Sequence, residues 1–334
     1  MDTILCVVRF LFTVALVGLM TLLYFRIVRG IDRFEKEPAR YLVAAFLWGA
    51  APAVLLALIF QLILSIPVSL ILGEESLGSA LFSASIAAPV TEEVLKGVAV
   101  AILYLARRRE LDGWVDGIVY GAAAGFGFAF IENVLYLMGT ETVEEWLALF
   151  FLRVIVFGFM HGFWTALTGI GFGIARNTAN RFAQAFAILA GLGAAILSHL
   201  LHNGALTLVE ASGGATLWVA VVNYGSLLIG LAIVSVVALY YERGMMKTYL
   251  RDEVPQVLTQ EQYASLITAR TAAGARMGLA PARQRALVQA AAELAQKKRQ
   301  LLALGEAGMA NPHIDQLRRQ IIALSSLQNP KSKI

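Results

Sequence analysis

The chain has little charge for its length. Only 15% of its 334 residues are Asp, Glu, Lys or Arg, whereas 58% are hydrophobic. Soluble globular chains carry about 25% charged residues, and the apolar excess here falls in long runs, which indicates a membrane protein. The net charge is +4. In a membrane protein such a basic excess reports topology, so we expect the lipid bilayer and no nucleic acid as a partner.

Cysteine is scarcer still, because Cys6 is the only one. A single cysteine excludes an internal disulfide and any zinc site built on cysteine pairs. The residues before the first apolar run also lack the basic charge that opens a cleavable signal peptide, so we expect this run to be retained as a span.

The apolar runs predict an all-α, polytopic transmembrane helical bundle. A spanning helix needs about 20 apolar residues. Seven runs meet this length: Ile4–Phe25, Tyr41–Leu64, Leu81–Ala106, Trp114–Met138, Trp146–Ala175, Phe182–Val209 and Thr216–Tyr240.

The basic residues predict the orientation of these spans. Among the connections between spans and the segment that follows the last span, basic residues occur only in alternate ones: Arg26, Arg29, Arg33, Lys36 and Arg40; Arg107 to Arg109; Arg176 and Arg181; Arg243, Lys247 and Arg251. The connections at 73–80, 139–145 and around Glu210 carry acidic residues alone. Because Lys and Arg remain on the cytoplasmic side, we expect the N-terminus outside, the C-terminus inside and a multi-pass protein of the cell membrane.

The composition changes at about residue 242, which divides the chain into a membrane domain, 1–241, and a cytoplasmic helical tail, 242–334. Two apolar stripes with helical spacing lie in the tail: Leu287, Ala291, Leu294, Lys298 and Leu301; Ile314, Leu317, Ile321 and Leu324. We interpret them as a pair of amphipathic helices.

Ionisable residues interrupt four consecutive spans. A charge at the centre of a bilayer costs about 2.5–3.5 kcal/mol on insertion scales, so it is retained where it is paired, solvated or used. The polar positions are Thr91, Glu92, Glu93 and Lys96; Glu132 and Asn133; His161; His199, His202 and Asn203. The predicted topology places Glu92, Glu132, His161 and His199 in one layer of the membrane, which predicts a single shared site.

Spacing within the spans adds detail. Glu92 and Glu93 precede Lys96 by four and three residues, the order in which a helix pairs acid with base. The two glutamates point about 100° apart, so one is expected to face the site and the other to be held by Lys96 or a neighbouring helix. His199 and Asn203 share a face, and His202 points elsewhere.

This set of residues could activate water. A glutamate in an apolar setting is a useful general base, and histidines can stabilise an oxyanion or protonate a leaving amine. Alternatively, His161, His199 and a glutamate could hold zinc. No His-Glu-x-x-His motif is present, so spacing alone does not signal a metal.

Other positions have structural interpretations. The glycines of the fourth and fifth spans are expected to let helices pack closely: Gly121, Gly125, Gly127, Gly169, Gly171 and Gly173. Arg9, inside the first span, is expected to extend toward the surface or to pair with an acid.

At the polar positions the sequence resembles the PrsW family of intramembrane proteases, distantly related to the CAAX prenyl endopeptidase/Abi superfamily. The resemblance lies in Glu92-Glu93-x-x-Lys96, in Phe128-x-x-x-Glu132 followed by Asn133, in the segment around His161, and in His199-x-x-x-Asn203. The prenyl endopeptidases carry histidine where this chain has Glu132, a departure that fits the PrsW branch.

The resemblance implies an intramembrane peptidase of glutamic or metallo type. Its substrate would be a membrane-anchored protein, such as an anti-sigma factor, cut outside the membrane. The implied catalytic residues are Glu92, Glu93, Glu132, His161 and His199. Lys96 and Asn203 would support them, and His161 and His199 would be the candidates for zinc ligands.

Two other functions fit buried ionisable groups. A proton-coupled transporter would use them as a relay, although the sequence shows none of the internal symmetry common in transporters. A non-catalytic membrane scaffold of the same superfamily would have no need of the full set.

Overall fold

Apolar helices make up the chain, as the sequence predicts. The computed structural model describes residues 3–306 and 311–326, and the described residues contain no β-strand. In lipid, backbone groups must be satisfied within a segment, which a helix achieves. The α-helices are α1 Thr3–Arg29, α2 Ala39–Trp48, α3 Val54–Leu72, α4 Leu77–Leu81, α5 Ala88–Ala106, α6 Trp114–Met138, α7 Val143–Leu149, α8 Met160–Arg176, α9 Arg181–Thr207, α10 Leu217–Tyr249, α11 Gln260–Thr268, α12 Pro281–Ala303 and α13 Pro312–Ser326.

Within the described ranges, three wider π-helical turns interrupt the apolar helices. They are π1 Gly49–Ala53, π2 Phe82–Ala87 and π3 Phe150–Val156. π1 joins α2 to α3, π2 joins α4 to α5, and π3 follows α7 shortly before α8 begins at Met160. Such turns are rare overall, and those that do occur are often found at functional sites. Two of them lie less than two turns before a predicted site residue, π2 before Glu92 and π3 before His161.

Six helices in the described part of the chain are long and apolar enough to cross a membrane. The third predicted span corresponds to the helical stretch 77–106, which carries Glu92, Glu93 and Lys96 and is not among the six. The chain is a multi-pass helical membrane protein. The count of seven spans and the orientation remain predictions.

The helices differ in how far they are enclosed by protein. In α6, 78% of the most apolar stretch is buried, against 6–28% for the other five candidate spans. Leu70, Ile71, Phe182 and Trp218 are among the large apolar side chains left exposed on those helices, as expected of surfaces that face lipid. α6 is therefore the helix around which the site is built.

Glycine permits the closest of these contacts. α6 packs most extensively against α8, and a Cβ atom at Gly125 would lie 2.1 Å from the carbonyl oxygen of His161. A Cβ at Gly121 would lie 2.4 Å from the carbonyl oxygen of Thr165. The close-packing role predicted for these glycines is confirmed, and it fixes α8 with His161 beside α6.

Arg9 differs from its prediction. Its guanidinium donates to the carbonyl oxygens of Leu137 and Thr140 and to Thr140 Oγ1, at 2.6–2.7 Å. The last carbonyls of a helix have no partner within it, so Arg9 satisfies the end of α6 rather than an acidic side chain.

Packing divides the chain into two units. The first comprises Met1–Arg29, Pro38–Arg176 and Gln184–Leu231, and the second Gly30–Glu37, Asn177–Ala183 and Ala232–Ile334. The second unit has its own apolar core, in which the two predicted stripes of α12 and α13 meet. The second of these helices, α13, begins at Pro312. The sequence-based boundary at 241/242 stays a prediction.

Candidate active site

The structure brings the predicted site residues of the first unit together. α5 contributes Glu92, Glu93 and Lys96, α6 contributes Glu132, α8 contributes His161, and α9 contributes His199. All are buried except Glu132 and His161, whose side chains are 19% and 12% exposed. Four helices therefore direct ionisable groups into one volume, as the shared layer in the sequence predicts.

Glu93 is the most enclosed carboxylate of the group. Its Oε1 lies 2.6 Å from Lys96 Nζ and 3.0 Å from His199 Nδ1, and its Oε2 accepts a hydrogen bond from Thr165 Oγ1. The side chains of Glu93 and Lys96 are 0% exposed. Because a buried charge is tolerable only when paired and hydrogen-bonded, Glu93 and Lys96 require each other.

Glu92 has a more open position. Its Oε2 lies 3.5 Å from Lys96 Nζ, and its Oε1 accepts a hydrogen bond from Gln61 at 3.2 Å. Glu92 also lines a groove, which the enclosed Glu93 does not. Of the two adjacent glutamates, Glu92 faces the accessible space and Glu93 is held by its neighbours, which is the arrangement expected from their 100° separation.

His161 is held from both sides. Its Nε2 lies 2.8 Å from Glu132 Oε2, and its Nδ1 lies 3.1 Å from Lys96 Nζ and 3.9 Å from Glu92 Oε2. A carboxylate at Nε2 and an ammonium donor at Nδ1 favour the neutral ring with its proton on Nε2. The ring also stacks on Phe128, whose own face meets the Lys96 ammonium at 4.5 Å.

His199 is oriented by a carboxylate and an indole. Its Nδ1 faces Glu93, and its ring stacks on Trp164 at 3.8 Å between centroids. The contact with Glu93 favours the tautomer that carries its proton on Nδ1, which leaves a lone pair on Nε2. His161 and His199 each thus have one ring nitrogen on a carboxylate.

Asn203 joins the site by a backbone contact. Its side-chain nitrogen donates to the carbonyl oxygen of Ala84, in π2, at 2.9 Å. It was expected to orient a histidine or to donate to an oxyanion. In the structure one donor is used by Ala84, and the residue lies where two cavities meet.

Those cavities differ in character. One is a groove of about 950 Å³ with mostly apolar walls, including Ala57, Leu58, Leu135 and Leu152. The other is a smaller chamber of about 190 Å³ with a mixed lining, whose ionisable and amide groups include Glu132, Asn133, Arg153, His161, His199 and His202. Glu132, Tyr136, Ala84 and Asn203 border both. An apolar groove thus adjoins a polar chamber at the catalytic candidates.

Sequence reasoning missed three participants. Arg153 lies 2.8 Å from Glu132 Oε2, and its charge inside the fifth predicted span was the available signal. His202 also lines the chamber, although it was assigned elsewhere. Its position three residues after His199 is close enough to share a face. Gln61, which donates to Glu92 Oε1, is the third; the signal for it was that it is the only amide side chain in the second predicted span.

The donors also suit a metal ion. One ligand atom each from Glu92, His161 and His199 lie within 4.8 Å of one another. Two imidazoles and a carboxylate are a usual set for catalytic zinc. A carboxylate on the second nitrogen of each histidine, as Glu132 and Glu93 provide here, is the usual outer support. The Lys96 ammonium, 3.1 Å from His161 Nδ1 and 3.5 Å from Glu92 Oε2, would repel a cation at these atoms.

Comparison with curated proteins finds relatives that share one name. A protein named protease PrsW from Bacillus subtilis (strain 168) is 28% identical over 165 residues, covering 49% of this chain and 67% of that protein. The namesake from Geobacillus kaustophilus (strain HTA426) is 29% identical over 43% of this chain and 58% of its own length. That from Clostridioides difficile (strain 630) is 28% identical over 38% and 50%.

The matched segments thus span between half and two thirds of these relatives. No solved structure gives a significant match. The sequence profile described as PrsW family intramembrane metalloprotease matches residues 37–240, which contain every site residue described above. The chain belongs to the PrsW family of intramembrane proteases.

Proposed function

We propose that the chain is an intramembrane endopeptidase that hydrolyses a peptide bond in a membrane-anchored protein. The observation that carries the proposal is the meeting of an apolar groove with a buried set of carboxylates and imidazoles at Glu92 and Glu132. The groove suits an apolar peptide segment, and the chamber suits water. Hydrolysis needs the two side by side.

In this proposal Glu92 is the base. Water adds to the carbonyl carbon of the scissile bond, and the base takes a proton from that water. Glu92 borders the groove, and its contacts with Lys96 at 3.5 Å and Gln61 at 3.2 Å are longer than the 2.6 Å contact of Glu93 with Lys96. Glu93 instead fixes Lys96 and His199.

The remaining groups would handle charge and protons. The Lys96 ammonium is a donor near Glu92, so it would stabilise the oxyanion as it forms. The proton that Glu92 takes from water would pass by way of His161 Nδ1, 3.9 Å from Glu92 Oε2, to the leaving nitrogen as the carbon–nitrogen bond breaks. Asn203 would hold π2 at the junction of the two cavities.

A metal would give Glu92 a different task. Glu92, His161 and His199 would then hold zinc, which supplies Lewis-acid polarisation and a more acidic bound water. Glu132 and Glu93 would orient the two histidines. The same residues therefore serve either a glutamate or a metal mechanism, and chelation separates the two.

The membrane-anchored substrate would be a regulator such as an anti-sigma factor, as the family resemblance implies. We assign hydrolysis to residues 1–241 and propose that 242–334 form a separate cytoplasmic region. In support, the site residues lie between 61 and 203, within the first packed unit, and the tail has a core of its own.

The test is cleavage of a single-span reporter by the purified chain in liposomes. Glu92→Gln and His161→Ala should each lower kcat by about 10²–10⁴-fold, the range of general acid–base catalysis, while folding is retained. Ser226→Ala, an exposed polar position on α10, is the matched control. Full activity in both site variants would refute the proposal. Loss of activity on chelation, restored by zinc, would select the metal mechanism.

A further inference from the structure

Arg153 is a charged residue in the membrane that the motifs of the family resemblance do not include. It lies in π3, and all its described contacts are to α6. Its NH2 group lies 2.8 Å from Glu132 Oε2, its Nε donates to Asn133 Oδ1 at 3.1 Å, and its guanidinium lies 3.7 Å above the ring of Tyr136. A planar guanidinium held along one edge and on one face has a single orientation.

The contact of Arg153 with Glu132 extends further into the site. The same oxygen, Glu132 Oε2, lies 2.8 Å from His161 Nε2. The opposite nitrogen of that ring lies 3.1 Å from Lys96 Nζ. Arg153, Glu132, His161 and Lys96 therefore form a continuous chain of charged and polar groups that ends beside Glu92.

We propose that Arg153 is a positioning residue that fixes the Glu132 carboxylate, so that His161 presents Nδ1 to Glu92 and Lys96. This inference rests on the proposed peptidase function. Without the guanidinium, Glu132 has His161 as its remaining partner within 4 Å among the described residues, and the pair is free to rotate into the chamber. His161 then loses the single tautomer and orientation that its role requires.

Arg9 provides a control that separates the positioning of Glu132 from the simple attachment of one helix to another. It is also an arginine in a predicted span, and it also binds α6, at Leu137 and Thr140. Its contacts are to the end of the helix, away from Glu132. If arginine served only to tie helices to α6, substitution at either position would have the same kinetic effect.

The first test is kinetic and uses the full chain. Arg153→Gln should lower kcat by about 10–100-fold, as loss of an outer carboxylate partner does elsewhere, with little change in KM. Arg153→Lys should recover part of the loss by restoring the charge without the edge contact to Asn133. Arg9→Gln should change kcat by no more than about twofold, since it lies outside the chain of contacts.

A double-mutant cycle shows whether Arg153 acts through Glu132. In a Glu132→Gln background, Arg153→Gln should cost less than about threefold, because the group it positions is already altered. An undiminished loss in that background would overturn the proposal. So would an equal kinetic effect of Arg9→Gln and Arg153→Gln.

The second test needs no substrate. The chain has four histidines, so ¹⁵N-labelled histidine gives a spectrum simple enough to assign by single substitutions. Arg153→Gln should move the His161 signals from one neutral tautomer toward a mixture, while His199, held by Glu93, stays unchanged. Unchanged His161 signals would refute the positioning role. A wild-type chain that cleaves nothing would instead refute the peptidase proposal alone.

Discussion

Two buried glutamates, one in each unit, have the same kind of contacts in different surroundings. Glu93 lies between Lys96 at 2.6 Å and His199 at 3.0 Å, and Glu253 lies between Lys298 and Arg318, both at 2.8 Å. Their side chains are 0% and 3% exposed. Contact geometry alone does not distinguish the two.

The surroundings do distinguish them. Lys298 also pairs with Asp252, whose side chain is 67% exposed, so the network around Glu253 reaches water. It joins the turn Arg251–Glu253 to α12 and α13. Lys96 and His199, the partners of Glu93, have side chains that are only 0% and 2% exposed, and His199 borders the smaller chamber. The network around Glu253 thus connects structural elements at the surface, whereas the group around Glu93 lies beside the proposed site of hydrolysis.

The comparison is most sharply tested by removing the lysine from each network. Lys96→Met should destabilise the chain by about 3–5 kcal/mol, since it leaves Glu93 as an uncompensated buried charge. Lys298→Met should cost about 0.5–1.5 kcal/mol, because Glu253 keeps Arg318 and access to water. Both are measured by denaturant unfolding in detergent.

A matched double variant checks the reason. Lys96→Met combined with Glu93→Gln should be more stable than Lys96→Met alone, because the unpaired charge is gone. If Lys96→Met and Lys298→Met lowered the free energy of unfolding equally, the burial of the network around the glutamate would not matter, and the comparison would fail.

A smaller effect is expected from the packing that supports the site. Gly125→Ala should destabilise the chain by about 1–3 kcal/mol, the range for overpacking, because the new Cβ would lie 2.1 Å from the His161 carbonyl oxygen. Cleavage should fall as well, since α8 carries His161. Gly230→Ala on α10 is the control, as nothing lies within 4 Å of the position. A Gly125→Ala chain with unchanged melting and activity would contradict the packing argument.

The smallest effect concerns pH and the tail. Burial raises the pKa of Glu253, but hydrogen bonds from Arg318 and Lys298 outweigh it and lower the pKa below its usual value. A lowered folded-state pKa gives stability that is present above the unfolded pKa of about 4.3 and is lost as pH falls through the lower, folded value. The tail should therefore loosen in acid.

Hydrogen exchange of peptides from α12 and α13, in the full chain, measures this loosening. Wild-type protection should fall on acidification toward that of Glu253→Gln, and the two should differ most at neutral pH. An equal difference at every pH would show that the carboxylate charge does not contribute.

Much of this architecture could be predicted from the sequence because it depends on composition and spacing. Length and hydropathy predict the apolar helices, and the cost of a charge in lipid selects Glu92, Glu132, His161 and His199. The i, i+3 and i, i+4 rule pairs Glu93 with Lys96, as observed. The stripes of the tail likewise meet in its core.

What could not be predicted depends on helix phase and on contacts between distant segments. Which of Glu92 and Glu93 faces the groove depends on how α5 is rotated, and adjacent residues carry no signal for that. The partners of Arg153 lie 17 to 21 residues before it, on a different helix, so no spacing rule connects them. The ideal angle of 100° per residue predicted that His202 points away from His199, although residues three apart on a helix often share a face.

The π turns affect how an apolar helix face can be traced along the sequence. A π turn holds about one residue more than an α turn, so the helix beyond it is out of phase with the helix before it. An apolar stripe traced with α-helical spacing from residue 77 onward therefore loses its register at 82–87. Deleting one residue there would remove the extra residue, restore a regular helix and leave the two glutamates on the same side of the bundle. Deleting a residue from the regular helix between 88 and 91 would instead turn them by about 100°.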